Sequence, residues 1–234
     1  LAAVHSDGRG RDAIWAGFQR REVYGTTGDH ILLWFDLLQE GDAIPMGSEA
    51  VSSSAPRFRV SAVGDFKQLP GCPDHAVKAL GREHLERLCG GECYNPSGER
   101  HRIDRIEVVR IRPQVTPGED VGPLIEDPWK TFACPEGPLD CSIEFADEDF
   151  VPGGRESIYY VRAVQEATPM INAGYVRCEY SEEGECIAVN PCYGDYRTAE
   201  EDDCLAPAEQ RAWTSPIFVS YQPAPTTPPE KTNQ

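Results

Sequence analysis

One short stretch of the sequence, GDYRTAEEDDC, has enough carboxylates to bind a cation. It places Asp195, Asp202 and Asp203 between two cysteines. Several carboxylate oxygens on a short loop are ligands that Ca²⁺ accepts, although the EF-hand spacing is absent. A solvated acidic loop explains the same residues, so these three aspartates are candidates for a calcium site and the alternative stays open. The run EFADEDF, residues 144–150, is a weaker candidate of the same kind.

Two histidines lie next to apolar runs that read as strands. His5 ends the run LAAVH and His30 precedes ILLWF. In barrel enzymes the reactive groups lie at strand ends, so His5 could contact a substrate or orient a metal ligand without binding the metal itself. An ordinary loop hydrogen bond is the alternative for His5, and a turn position is the alternative for His30. No Ser-His-Asp or Cys-His pairing can be argued from the sequence.

Arginines and aromatic residues offer two further binding chemistries. The segment from Arg100 to Arg112 could present cations to an anionic substrate, but the interleaved Asp104 and Glu107 favour cross-strand ion pairs. Four aromatic side chains could stack on a sugar. The alternative is that they belong to the core, where aromatic residues of a β-sheet protein more often lie. The four are Tyr94, Tyr193, Tyr196 and Trp213.

The nine cysteines predict disulfides. Six of them flank short, turn-rich stretches, and no pair of CxxC knuckles suggests a zinc site. The other three predict one bridge and one remaining thiol, which is either buried or paired with another segment or chain. Disulfides indicate an oxidising compartment, so we expect an exported, periplasmic or extracellular protein. The predicted pairs are Cys134–Cys141, Cys178–Cys186 and Cys192–Cys204, and the remaining group is Cys72, Cys89 and Cys93.

Composition and charge restrict the possible partners. The chain has 234 residues, is 40% hydrophobic and carries a formal net charge of −17. Binding to nucleic acid phosphates requires clustered Lys and Arg, so nucleic acid is excluded as an expected partner, and anionic membrane surfaces are disfavoured. No apolar stretch is long enough to span a bilayer. The acidic charge most simply serves solubility outside a cell.

The first 29 residues predict one βα unit. LAAVH reads as a strand, and RDAIWAGFQRREVY reads as a helix that ends at the glycine-rich GTTG. Ile14 and Phe18 are four residues apart and should face a core together. A βα unit is the repeat of a parallel sheet or barrel and cannot bury both of its faces alone. We therefore expect residues 1–29 to lean on a segment that precedes them.

Residues 30–221 predict a disulfide-stapled β-rich domain, and the fold class is mainly β, an antiparallel sandwich-like domain. ILLWFDLL reads as a fully buried strand, and RFRVSAV alternates apolar and polar residues. RIDRIEVVRIRPQ, CSIEF, SIYYVRAVQE, GYVRCEY and SPIFVSY continue the series, with turn residues between them. PDHAVKALGREHLERLC predicts a short helical insertion broken at Gly81. Residues 222–234 form a Pro/Thr-rich tail that should be extended.

Several of these runs together resemble the C-terminal part of a large bacterial family of exported proteins of unknown function. The runs are RREVYGTTGDHILLWFDLL, FKQLPGCP, GECYNPSGERHRIDRIEVVRIRPQ, NPCYGDYRT and RAWTSPIFV. That family is related to the PHP (polymerase and histidinol phosphatase) metallophosphoesterases. The resemblance implies that residues 1–29 are the terminal βα unit of a PHP-like barrel whose remainder lies upstream.

The same resemblance implies where the chemistry lies. PHP-type sites use an HxH motif, further His and acidic ligands and an Asp-x-His, and this sequence contains none of them. We therefore expect no cofactor in this chain and a divalent metal in the barrel portion of the same gene product. That barrel portion would be the principal partner of this chain, and oligomers are possible. The chain would be an accessory region of a metal-dependent hydrolase, inactive alone. The alternative is a secreted stand-alone β-sandwich module that binds glycan or protein.

Overall fold

The computed structural model describes residues 1–135 and 140–223, except the side chains of residues 174 and 175. The protein is mainly β, with 46% strand and 16% helix, which confirms the predicted fold class. The strands are β1 Ala2–Val4, β2 Val23–Thr26, β3 Leu32–Gln39, β4 Asp42–Pro45, β5 Glu49–Ser52, β6 Arg57–Val63, β7 Phe66–Gln68, β8 Pro96–Arg100, β9 Ile103–Ile111, β10 Ile125–Ala133, β11 Asp140–Ala146, β12 Ser157–Ile171, β13 Cys178–Tyr180, β14 Cys186–Val189, β15 Leu205–Thr214 and β16 Ile217–Tyr221.

Two antiparallel sheets form the body of the protein. The larger has eight strands in the order β1-β2-β15-β12-β16-β5, and β9 and β10 extend it from the other edge of β12. Only β16 and β5 pair in parallel among the strands described. The smaller sheet has the order β11-β6-β3-β4. Two hairpin-like pairs, β7 with β8 and β13 with β14, lie outside these sheets.

The core lies between the inner faces of the two sheets. The alternating residues of β6 place Phe58, Val60 and Ala62 inside with no exposed surface. Phe58 contacts Tyr159 of β12 across the core, with the ring centroids 4.6 Å apart. This alternation is what a half-buried antiparallel strand requires, because successive side chains point to opposite faces.

The helices are short and peripheral. None in the described part of the chain is long and apolar enough to cross a bilayer. The predicted insertion forms α2 and α3, which meet at Gly81, where φ is +78°. Leu85 is the one buried residue of these two helices, so the insertion contributes little to the core. The helices are α1 Arg11–Gln19, α2 Asp74–Leu80, α3 Arg82–Cys89, α4 Phe150–Gly153 and α5 Ala173–Arg177.

The leader, residues 1–29, differs from its prediction in two respects. The helix ends at Gln19, because the following residues turn at Arg21 (φ +61°) and enter β2. Val23 to Thr26 are rich in β-branched and aromatic residues and pair with both β1 and β15. Both pairings are antiparallel, so the leader continues the large sheet and does not form a parallel βα repeat within the described chain.

Two other strand predictions were wrong in detail. ILLWFDLL is not fully buried, because the outer face of β3 leaves Trp34 39% exposed. GYVRCEY is not one strand, since α5 covers residues up to Arg177 and β13 begins at Cys178. Most of the predicted Pro/Thr-rich tail, residues 224–234, lies outside the described residues.

The three predicted disulfide pairs form, and two of the remaining three cysteines make the expected fourth bridge. Cys134–Cys141, Cys178–Cys186 and Cys192–Cys204 close short loops, and Cys72–Cys93 joins the two ends of the helical insertion. Cys89 is the remaining thiol, as expected, but it is exposed rather than buried.

Candidate functional site

The principal candidate site is a polar cluster where the leader meets the large sheet. It contains two histidines, three carboxylates and one amide from four separate segments of the chain. Asp29 and His30 come from the loop before β3, Asp65 precedes β7, His101 lies between β8 and β9, and Gln165 and Glu166 belong to β12.

Gln165 is the centre of this cluster. Its side chain has no exposed surface, and its amide nitrogen donates to an Asp29 carboxylate oxygen at 2.6 Å. Its amide oxygen accepts from the backbone N–H of Asp65 at 2.9 Å. Asp65 in turn accepts from the backbone N–H of His30 at 2.7 Å. A buried amide with both of its polar ends paired fixes the positions of the groups around it.

A close backbone approach explains why Gln165 can reach the loop. A Cβ atom on Gly64 would lie 2.0 Å from the backbone oxygen of His101 and 3.2 Å from the Gln165 amide oxygen. Only glycine permits this contact between the end of β6 and the segment before β9. His101 then donates from Nδ1 to Glu166 at 3.0 Å.

The carboxylates of the cluster have different proton affinities. Burial raises the pKa of Asp29, the hydrogen bond from Gln165 opposes this, and the nearby Asp65 charge adds to it. Burial also acts on Glu166, but the hydrogen bond from His101 and the backbone N–H of Arg102 outweigh it and lower the pKa of Glu166. Carboxyl groups whose environments separate their pKa values are typical of sites that transfer or hold protons.

A cavity of about 320 Å³ opens beside Asp29 and His30. Its walls are mostly apolar and come from β1, β2 and the start of β3, with Ala3, Tyr24 and Ile31 among them. Tyr94 packs edge-on against His30, with ring centroids 5.4 Å apart. The arrangement offers one carboxyl and one imidazole at the rim of an apolar pocket.

The cluster is not arranged as a metal site. In the described residues, groups of three possible ligand atoms within 4.8 Å of one another occur twice: Cys72, Cys89 and Cys93, and Cys192, Asp202 and Cys204. Each of them includes both sulfurs of a disulfide.

The structure does not bring the predicted calcium ligands together. Asp195 pairs with Arg197 at 2.7 Å, and Asp202 pairs with Arg177 at 2.7 Å. Asp203 caps the backbone N–H of Leu205. These bonds lower the pKa values of Asp195 and Asp202, in each case chiefly through the arginine. Arginine thus neutralises two of the three carboxylates that a cation would need.

His5 makes the ordinary hydrogen bond that was the alternative to a functional role. Its Nε2 donates to the backbone oxygen of Leu33 at 2.8 Å, and its ring lies between those of Tyr24 and Trp34. His5 therefore ties the leader to β3.

The arginines of β9 form the predicted cross-strand ion pairs. Arg105 reaches Glu209 of β15 at 2.7 Å, and Arg110 reaches Glu126 of β10 at 2.7 Å. Glu107 forms an ion pair with Arg162 of β12, with Arg162 Nε 2.9 Å from a Glu107 carboxylate oxygen. The guanidinium groups of these arginines are therefore paired with carboxylates of the same sheet.

The four candidate stacking residues are dispersed. Tyr94 packs on His30, Trp213 lies partly buried on β15, and Tyr193 and Tyr196 are exposed on the Cys192–Cys204 loop. Arg197 covers the Tyr193 ring at 3.8 Å.

Sequence reasoning missed most of the polar cluster. It considered His30 but not Asp65, His101 or Gln165, because an isolated polar residue beside a strand carries no signal of its partners. Asp29 and Gln165 are 136 positions apart. The one available signal was Gly64 beside Asp65, a glycine at a strand end that permits close backbone approach.

The outer face of α1 is a second candidate site. The helix packs on β1 through Gly17, where a Cβ would lie 2.5 Å from the His5 backbone oxygen. The largest apolar residues point away from the sheet: Trp15 is 62% exposed and Phe18 46% exposed. We predicted that Ile14 and Phe18 face a core together, and for Phe18 this prediction is wrong because its side chain is exposed. We call Trp15 and Phe18 the outer face of α1.

The comparisons with known proteins concern the first 71 residues. Residues 1–71 match a family described as "Protein of unknown function (DUF3604)". This match spans β1 to β7 with α1, and includes the outer face of α1, Asp29 and Asp65. It agrees with the resemblance to an uncharacterised family, whereas the relation to PHP metallophosphoesterases stays a prediction. No curated protein and no solved structure matches the chain.

Proposed function

We propose that this chain is the accessory region of an exported, PHP-like, metal-dependent hydrolase. It packs through its leader against a catalytic barrel of the same gene product, and the divalent metal is bound there. The observation that carries the proposal is the outer face of α1, Trp15 and Phe18, within the segment that matches the family. The four disulfides support export, because such bonds persist in oxidising compartments.

The inverted polarity of α1 favours a docking role. Amphipathic helices normally bury their large apolar side chains, whereas this helix buries Gly17 and exposes Trp15. Tryptophan is enriched among the residues that dominate protein interfaces, and aromatic side chains bury roughly 150–250 Å² each. A partner that covers Trp15 and Phe18 removes the cost of their exposure.

Side-chain hydrogen bonds connect the docked leader to the sandwich. His5 bonds the backbone of Leu33 in β3, and Asp29 of the polar cluster bonds Gln165 in β12. These two bonds join the leader to both sheets. In this proposal the sandwich is held in a fixed orientation relative to the barrel, beside the mouth of its active site.

The test uses the full gene product and compares two pairs of substitutions. Trp15→Ser with Phe18→Ser removes the outer face of α1, and Ile187→Ser with Val189→Ser removes two equally exposed apolar residues on β14. We expect the first pair to lower the midpoint of thermal unfolding and metal-dependent phosphoesterase turnover, while the second pair changes neither. Neither pair should alter the stability of the 234-residue chain alone.

Two results would count against the proposal. One is equal behaviour of both double variants in the full gene product. The other is turnover of phosphoesters by the 234-residue chain alone with Mn²⁺ or Zn²⁺, since the proposal places the metal in the barrel portion.

A binding module for glycan is the second candidate, and the Cys192–Cys204 loop favours it. A cavity of about 390 Å³ beside this loop is lined by Asn190, Tyr193, Arg197 and Thr198, among others. Tyr193 is half exposed, and Arg197 covers one face of its ring. An aromatic ring beside amide, hydroxyl and guanidinium groups suits a sugar, which would stack on the other face of the ring and hydrogen-bond at its edges.

Tyr193→Ala tests this second candidate. A glycan array with the purified chain should give specific binding that falls about tenfold or more in Tyr193→Ala. Tyr180→Ala, which removes an equally exposed tyrosine from β13, should bind as the parent does. Absence of specific binding by the parent chain would leave the accessory role as the sole proposal.

A further inference from the structure

The free thiol of Cys89 lies against a disulfide. Its Sγ is 3.5 Å from the Sγ of Cys93, which is bonded to Cys72. All three sulfurs lie within 4.8 Å of one another. Among the described cysteines, Cys89 alone is unbonded, and it is exposed.

Local structure brings the three sulfurs together. Cys89 is the last residue of α3, and Gly90 and Gly91 follow it with φ of +58° and +74°. Two left-handed residues in succession reverse the chain, which returns Cys93 to the end of the helix. Glu92 donates its N–H to the Cys89 oxygen at 3.0 Å and closes this turn.

We propose that Cys89 and the Cys72–Cys93 disulfide form a thiol–disulfide exchange centre. The Cys89 thiolate attacks the Sγ of Cys93, a Cys89–Cys93 bond forms, and the Cys72–Cys93 bond breaks. Cys72 leaves as a thiolate and takes up a proton from water. This uptake balances the proton that Cys89 released to water when it ionised. One disulfide and one thiol are present before and after, so no oxidant or reductant is consumed.

The geometry sets one condition on the reaction. Exchange requires the attacking sulfur to approach along the axis of the S–S bond. Because all three sulfurs lie within 4.8 Å, Cys89 stands to the side of that axis, and its side chain must rotate before it reacts. Its position at an exposed helix end, followed by two glycines, leaves room for that rotation.

Exchange would release one end of the helical insertion. The Cys72–Cys93 bond spans 21 positions and closes the loop that contains α2 and α3. A Cys89–Cys93 bond would close a loop of only four positions and leave Cys72 free. The longer bridge stabilises the fold more against unfolding, because closing it removes more entropy from the unfolded chain, so exchange should lower the stability of the fold. The insertion buries Leu85 alone, whereas Leu80 and Leu88 are exposed, so little else holds it.

Trapping of the thiol tests the exchange directly. The folded chain is incubated without reductant at mildly alkaline pH, alkylated with iodoacetamide, and mapped by peptide mass spectrometry without reduction. We expect the label to shift with time from Cys89 to Cys72, together with a Cys89–Cys93 linked peptide. Label confined to Cys89 and a disulfide confined to Cys72–Cys93 at all times would overturn the proposal.

A variant provides an independent measurement. In Cys72→Ser the sulfurs of Cys89 and Cys93 remain adjacent, so the exported variant should have no free thiol. With the three other disulfides intact, its mass should be eight hydrogens below that of the fully reduced form. In Cys89→Ser the Cys72–Cys93 bond is the sole linkage, so time-dependent labelling should be lost. A folded Cys72→Ser chain with two alkylatable thiols after air oxidation would contradict the proposal.

Discussion

Removal of the Arg110 guanidinium should destabilise the protein far more than removal of an arginine on the surface. Arg110 of β9 is 4% exposed and donates from Nη1 to both carboxylate oxygens of Asp147, at 2.7 and 2.9 Å. It also forms two hydrogen bonds to Glu126 and lies over the ring of Trp129 at 4.2 Å. Asp147 has no exposed surface, so Arg110 is its principal countercharge.

The expected loss follows from what Arg110→Met leaves behind. The buried Asp147 would keep the hydroxyl of Tyr159, which donates at 2.6 Å, and the backbone N–H of Asp149 at 3.0 Å. These neutral donors do not replace a countercharge. Removing one partner of a buried ion pair costs about 3–5 kcal/mol, a large fraction of the roughly 5–15 kcal/mol by which a domain is stable.

Arg59→Met is the matched control. Arg59 also hydrogen-bonds a carboxylate across two strands, that of Glu144, but both side chains are more than 40% exposed. An exposed pair contributes about 0.2–1 kcal/mol.

Urea unfolding of the disulfide-intact chain is the appropriate assay. Far-UV circular dichroism should follow it rather than fluorescence, because the substitution changes the surroundings of Trp129 directly. The second variant, Arg110→Met with Asp147→Asn, should recover part of the loss, because it removes the unpaired charge. The reasoning is refuted if Arg110→Met costs no more than Arg59→Met, or if the second substitution deepens the loss.

Two further predictions concern the leader. Burial raises the pKa of Asp29 above its unfolded value, so ionisation of Asp29 costs stability near neutral pH. This cost vanishes as the pH falls below the unfolded pKa. In urea unfolding, Asp29→Asn should therefore be more stable than the parent at pH 7 and equal to it at pH 3. A gain that grows in acid would contradict this. Gly17→Ala should cost about 1–3 kcal/mol, because its Cβ would meet the His5 backbone, whereas Gly28→Ala, with nothing within 4 Å, should be near neutral by the same assay.

Local pattern in the sequence was sufficient for much of the scaffold. Alternation in RFRVSAV predicted β6 and its three buried residues, and turn-rich spacing predicted three disulfides together with the bridge and thiol among Cys72, Cys89 and Cys93. Such features are determined within a few residues, since strand periodicity and short-loop closure depend only on neighbours.

Neighbours in space decided the rest. Val23 and Tyr24 read as the end of a helix, and Gly25 and Thr26 as the glycine-rich stop that follows it. Pairing with β15, which lies about 190 positions away, makes all four residues a strand. Phe18 has helical spacing to Ile14, yet the close packing of Gly17 on β1 turns its ring outward.

The candidate site shows the same division. The sequence by itself determined which side chains exist to hold protons, sulfur bonds and charge, because residue type fixes their chemistry. Only the tertiary structure decided that Gln165 would join Asp29 to Asp65, and that Cys89 would lie outside the disulfide it touches. The physical reason is that burial and long-range hydrogen bonds arise when distant segments pack, and no local pattern encodes which segments meet.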